Sequence, residues 1–79
     1  MDMKMMMERW KATAEIFVKN NTKAFIKDMK QNFYFCDIIL VGEDTVMVKC
    51  FEPPKMKDKK FRLYWTLIEQ FEEYEENEL

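Results

Sequence analysis

Hydrophobic positions at the start of the chain recur with a helical period. Met3, Met6 or Met7, Trp10, Ala14, Phe17 and Val18 fall three and four apart, which stacks them on one face. Lys4, Glu8, Lys11, Glu15 and Lys19 fall mostly elsewhere, with Glu8 and Lys11, and Lys11 and Glu15, spaced to interact. Asn20-Asn21 ends the pattern, because asparagine tolerates the left-handed conformation that closes a helix. The expectation is an amphipathic helix over residues 4–19.

Beyond Asn21 the period changes to two. Between Lys23 and Lys30, Ala24 and Ile26 fall on one side and Phe25, Lys27 and Met29 on the other, and Gln31-Asn32 reads as a turn. Phe33 to Val41 is aromatic and β-branched, interrupted only by Asp37, as in a strand covered on both faces. Gly42-Glu43-Asp44 places the only glycine where a tight hairpin needs one. Thr45 to Phe51 then alternates cleanly, with Val46, Val48 and Cys50 inward and Thr45, Met47 and Lys49 outward. Pro53-Pro54 opens a loop that runs through Lys60. A fourth strand is expected over Phe61–Trp65, with Phe61, Leu63 and Trp65 on one side. A short fifth is expected over Thr66–Tyr74, carrying Ile68 and Phe71 inward.

One helix and five short strands in 79 residues make a single domain. The fold class is mainly β: an N-terminal helix lying across one open end of a strongly bent, five-stranded antiparallel barrel over residues 22–74, with an acidic tail at 75–79. A three-helix reading fails, because residues 33–51 are too β-branched and alternating.

Composition mainly excludes. The chain has neither His nor Ser, which removes serine–histidine and cysteine–histidine catalysis, histidine metal sites and histidine proton shuttles. A single glycine cannot build a phosphate-cradling glycine loop. No enzyme, cofactor or metal site is expected. Seven Phe, three Tyr and two Trp are more rings than a thin core hides, so some should meet another subunit or a partner. The longest apolar run, Ile38 to Val41, is far below the roughly 18 residues needed to span a bilayer, and the start has no signal-like apolar core. With only two cysteines, the chain reads as cytoplasmic. The net charge of −2 is unevenly spread: residues 53–65 carry five cations against Asp58, whereas the stretch from Glu69 onward holds six Glu and no base.

The order of elements, together with Phe35-Cys36-Asp37-Ile38-Ile39-Leu40-Val41-Gly42-Glu43-Asp44-Thr45-Val46-Met47-Val48 and Leu63-Tyr64-Trp65-Thr66-Leu67-Ile68, resembles the Sm/LSm superfamily of small β-barrels, Hfq included, over residues 8–74. That family's second strand opens on a small residue, followed by hydrophobes two and five positions on and then an Asp. Cys36, Ile38 and Val41 fill the first three places and Gly42 stands at the fourth. Tyr64 to Ile68 is similar to the tight turn between the family's last two strands. The resemblance implies the barrel, a homo-oligomeric ring built by edge-to-edge strand pairing, and RNA or single-stranded nucleic acid as ligand. It does not carry over the family's uridine site. Asp44 and Val46 stand where the loop after strand two would read RNA, Tyr64-Trp65-Thr66 lacks the Lys and His of the Hfq run, and the Arg-Gly turn of eukaryotic and archaeal members is absent.

The leading candidate site is Lys55, Lys57, Lys59 and Lys60 with Arg62, Tyr64 and Trp65, since cations neutralise phosphates and aromatic faces stack bases. The same loop also reads as a solvated connection that discourages sheet-edge aggregation, and Trp65 as a core or interface ring. If Gly42-Glu43-Asp44 is a three-residue loop, Val41 faces Thr45. Counting back then sets Leu40 against Val46, Ile38 against Val48, and Cys36 against Cys50. Opposed Cα atoms about 4.5–5.5 Å apart admit a disulfide, while a metal would need two further ligands. The ordinary reading of this cysteine pair, Cys36 and Cys50, is packed, reduced thiols. The run from Glu69 to Glu76 reads as a solvated face, or as a partner for a neighbouring subunit's basic loop. Met1, Met3, Met5, Met6 and Met7 offer an adaptable surface, which sustains the alternative of a protein-interaction or structural module.

Overall fold

The computed structural model describes residues 3–74, so the tail at 75–79 and Met1 lie outside the described residues. Helix α1 spans Met3–Asn20. Its contact stripe runs through Met7, Trp10, Ala14 and Phe17, with Ala14 and Phe17 buried. Val18, expected on that stripe, is instead exposed, because it lies one position round from Phe17. The end is a Schellman closure: Asn21 sits at φ 54°, its N–H donates to the Val18 carbonyl at 3.4 Å, and the Thr22 N–H donates to the Phe17 carbonyl at 2.9 Å.

Five antiparallel strands follow: β1 (Lys23–Asp28), β2 (Phe33–Val41), β3 (Thr45–Glu52), β4 (Lys60–Tyr64) and β5 (Ile68–Glu73). They form one sheet in the order β4-β3-β2-β1-β5. β4 and β5 are its two edges and no ladder joins them, so the expected barrel does not close. The link between them is a 3-10 turn, Trp65–Leu67, that crosses from one edge to the other instead of extending either strand. Trp65 therefore opens this turn rather than ending β4, and β5 begins at Ile68 rather than Thr66.

The core lies between the inner sheet face and α1. Ala24, Ile26, Cys36, Ile38, Val46, Val48 and Cys50 line the sheet side, with Trp65, Ile68 and Phe71 from the other edge. Phe71 stacks on Phe17 of α1 at 5.6 Å and lies 5.9 Å from Trp65, which ties helix, edge strand and link together. Ile68 and Phe71 are three apart yet both buried. The β1–β5 register shifts between Lys27–Gln70 and Asp28–Ile68, and the residue taken up there returns Phe71 to the inner face.

The β2–β3 hairpin corrects one expectation and keeps its consequence. Val41 pairs with Val46, not Thr45, and Leu40 with Met47, so four residues, Gly42 to Thr45, form the loop. A register shift between Ile38 and Leu40 absorbs the extra residue, leaving Ile38 opposite Val48 and Cys36 opposite Cys50. Gly42 does not adopt a positive φ. It is needed because a Cβ there would lie 2.9 Å from the Thr45 carbonyl oxygen, which its own N–H already approaches at 2.8 Å. No helix among the described residues is long and apolar enough to cross a membrane.

Candidate nucleic-acid interface

The basic loop is an ordered turn. Pro54–Met56 forms one turn of 3-10 helix, and Met56 packs against the core as an anchor. Backbone bonds close the rest: Met56 N–H to Pro53 O at 2.8 Å, Lys59 N–H to Met56 O at 3.0 Å, Asp58 N–H to Cys50 O at 2.8 Å and Cys50 N–H to Lys59 O at 3.0 Å. Asp58 sits at φ 66°, a position its short side chain tolerates. Lys55, Lys57 and Lys59 project from this fixed backbone, all exposed.

β4 alternates. Phe61 and Leu63 pack toward the core, while Lys60, Arg62 and Tyr64 share the exposed outer face, with Tyr64 56% exposed. Lys60 pairs directly with Lys49 of β3 and Arg62 with Met47, so one cross-strand position sets two lysines side by side. Among the described residues neither lysine, nor Lys55, Lys57, Lys59 or Arg62, forms an ion pair; the two salt bridges present are Glu8–Lys11 at 3.5 Å and Lys23–Asp37 at 3.3 Å. Like charges directly opposed raise the free energy of a sheet, and an anion over them lowers it.

Trp65 does not belong to this surface. It is 1% exposed, contacts Phe71, and its indole N–H donates to the Gly42 carbonyl at 3.1 Å, so no face is left for stacking. Burial of the ring at the link between the two edges is the reason. The core reading of Trp65 replaces its place in the candidate site.

The outer face supplies other rings. Phe25, Phe33, Phe35 and Phe51 stand on the opposite parity from the buried residues of β1, β2 and β3, and Tyr74 joins them beyond β5, where its N–H donates to Lys23 O at 2.9 Å. Phe25–Phe35 centroids are 5.3 Å apart, Phe35–Tyr74 4.8 Å and Phe51–Tyr74 5.4 Å. Lys23 Nζ lies 5.3 Å from the Phe51 centroid. The expectation that β2 is covered on both faces is therefore only half met. Within this chain its outer face is an aromatic cluster that meets solvent through Phe33, 53% exposed. Parity held the signal for this: once Ala24, Ile26, Cys36 and Cys50 face in, Phe25, Phe33, Phe35 and Phe51 must face out.

Asp28, not singled out by the sequence, organises the β1–β2 turn. Its carboxylate accepts from the N–H of Lys30 at 2.9 Å, the N–H of Asn32 at 3.0 Å, the Asn32 amide at 3.4 Å and the Tyr34 hydroxyl at 3.2 Å. These donors account for a carboxylate buried at the end of a strand. Burial lifts the Tyr34 phenol above its ordinary 10.0, and the neighbouring Asp28 charge and hydrogen bond add to the effect. Tyr34 therefore stays a donor.

Cys36 and Cys50 face each other across β2 and β3, both buried and both free. Burial pushes both thiols up, Cys50 to about 11 and Cys36 further, the latter also through Cys50 and Asp37. Such thiols are poor nucleophiles. Among the described residues no three of His, Cys, Asp and Glu gather as a metal site.

No family model, characterised protein or solved structure matches this chain.

Proposed function

We propose that this protein is a cytoplasmic, non-enzymatic, Sm-like homo-oligomer that binds RNA or single-stranded nucleic acid. The observation that carries the reading is the cationic strip of Lys55, Lys57, Lys59, Lys60 and Arg62 with Lys49. All but Lys49, which stands across the ladder from Asp37, are exposed, and none forms an ion pair among the described residues. Phosphates would relieve the Lys49–Lys60 opposition, and the adjoining rings would take bases. The helix followed by five antiparallel strands, with one 3-10 turn handing β4 to β5, supports the Sm-like part.

Assembly is supported by the two open edges. β4 carries Lys60 and Arg62, whereas β5 carries Glu69, Glu72 and Glu73, so a β4 edge from one copy meets a β5 edge of opposite charge from the next. Such a heterologous contact repeats head to tail and closes as a ring when the rotation allows. Edge pairing engages the backbone and the Lys60 and Arg62 charges, and leaves Lys55, Lys57 and Lys59 of the loop free for ligand.

The test is oligonucleotide binding at increasing salt, with native mass spectrometry on protein purified without nuclease. Binding falls steeply with salt and is lost on reversing Lys57, Lys59 and Lys60 to Glu. Binding indifferent to salt and to those reversals refutes the reading. The alternative, a protein-interaction module, draws on exposed Met5 and on the aliphatic side chains of Ile16, Val18, Ile39 and Leu40, which stand exposed on α1 and β2. It prevails if polar substitutions at Met5, Ile16 or Leu40 disrupt a partner complex instead.

A further inference from the structure

At the end of the sheet the β1–β2 turn and the loop after β3 enclose a cleft of about 430 Å³ lined by Asn32, Phe33, Tyr34, Pro53, Lys55 and Met56. Its volume lies within the range of small-ligand sites. We infer that this cleft seats one unstacked base of a single-stranded nucleic acid, with Phe33 stacking on the base, Lys55 on its phosphate and Asn32 at its edge. The inference rests on the nucleic-acid reading and moves its stacking contact from Trp65 to Phe33.

Each wall contributes something different. Phe33 is half exposed yet braced from behind, with Phe25 at 6.3 Å and Phe35 edge-on at 6.2 Å, so its free face is held in place before any ligand arrives. A braced ring loses little freedom on stacking, and base–aromatic contacts serve any base because every base has a π-face. Asn32 is tethered at two points, its N–H and its amide both donating to Asp28. Its amide oxygen accepts no hydrogen bond among the described residues and is left for a base donor. Tyr34 is wall rather than reader: its hydroxyl is spent on Asp28, and its ring meets Phe61 edge-on at 5.4 Å.

Charge selects the occupant. Lys55 is exposed at the cleft and begins the run continued by Lys57 and Lys59, and no acid is among the lining residues: Asp28 is buried and saturated by its donors, Glu69 accepts from Gln31 at 3.2 Å, and Glu52 and Asp58 lie outside the lining. An apolar peptide side chain would gain from Phe33 but nothing from three cations. A nucleotide uses both, since the base covers the ring while the phosphate meets the lysine.

The experiment is fluorescence anisotropy of short homopolymers of A, C and U, as RNA and as DNA, between about 50 and 200 mM salt. Phe33→Leu keeps an apolar side chain but removes the ring, and it weakens binding by about 5- to 150-fold with the salt slope unchanged. Phe33→Tyr keeps the ring and the affinity. Lys55→Ala lowers the slope by about 0.7, one phosphate contact on a single strand. Thermal unfolding of each variant separates lost binding from lost fold. If Phe33→Leu binds as the parent does while the reversals at Lys57, Lys59 and Lys60 abolish binding, the cleft assignment is overturned and the nucleic-acid reading stands. If the parent binds no oligonucleotide even at the lowest salt, both fall, and the cleft becomes a candidate seat for a protein side chain.

Discussion

Cys36 and Cys50 show what burial does to one side chain. In the unfolded chain each thiol ionises near 9.0, whereas folding holds Cys50 at about 11 and Cys36 higher, so the folded state retains protons that the unfolded state gives up. This contribution to stability is fully present below about pH 9 and is lost as pH rises toward and through the folded values. The urea midpoint should therefore fall between pH 8 and 10.5, and the fall should flatten in Cys36→Ala/Cys50→Ala. An unchanged slope in that double variant would place the alkaline loss elsewhere. The same burial makes both thiols slow to alkylate until the protein unfolds. Asp28 makes the complementary point. No pattern of hydrophobic positions marks it, because its importance lies in donors that converge only once the turn is formed.

At the scale of elements, spacing carried most of the information. The helix ends, the strand between Phe33 and Val41, and the inward set Val46, Val48 and Cys50 follow from period and from Asn20-Asn21, Gly42 and Pro53-Pro54. Three register shifts did not follow. A bulge costs and gains through ladder bonds to another strand, so the shifts beside Phe35, Ile38 and Asp28 are invisible in the strands that carry them. The hairpin shows the consequence: a loop one residue longer and a compensating bulge leave Cys36 opposite Cys50 all the same. Gly42 gives the test. Alanine there needs no unusual φ but drives its Cβ against the Thr45 carbonyl, so Gly42→Ala should destabilise by about 1–3 kcal/mol, read from urea unfolding. A neutral result would mean that the loop relaxes freely.

The whole molecule presents three unlike surfaces: a cationic strip, an aromatic outer face and two sheet edges of opposite charge. Exposed ion pairs are individually weak, about 0.2–1 kcal/mol, but an edge interface sums several of them with backbone pairing. Reversing Lys60 and Arg62 to Glu should therefore weaken the proposed assembly by about tenfold or more. Adding Glu69→Lys and Glu72→Lys to the same chain should restore it. Native mass spectrometry reads both, and a double reversal that leaves the assembly intact, or a swap that fails to rescue it, counts against edge pairing.

Local pattern determined the order and type of the helix and strands, the inward residues of β1, β3 and β4 and the position of the basic loop, because period, capping and proline act within a few residues along the chain. The tertiary structure decided the rest. It left β4 and β5 unpaired as open edges, withdrew Trp65 into the core, and brought Phe33 beside Lys55 across twenty-two residues of sequence. Each of those outcomes depends on which segments meet in space. Burial and cross-strand neighbours are properties of such meetings, and a single strand read alone contains neither.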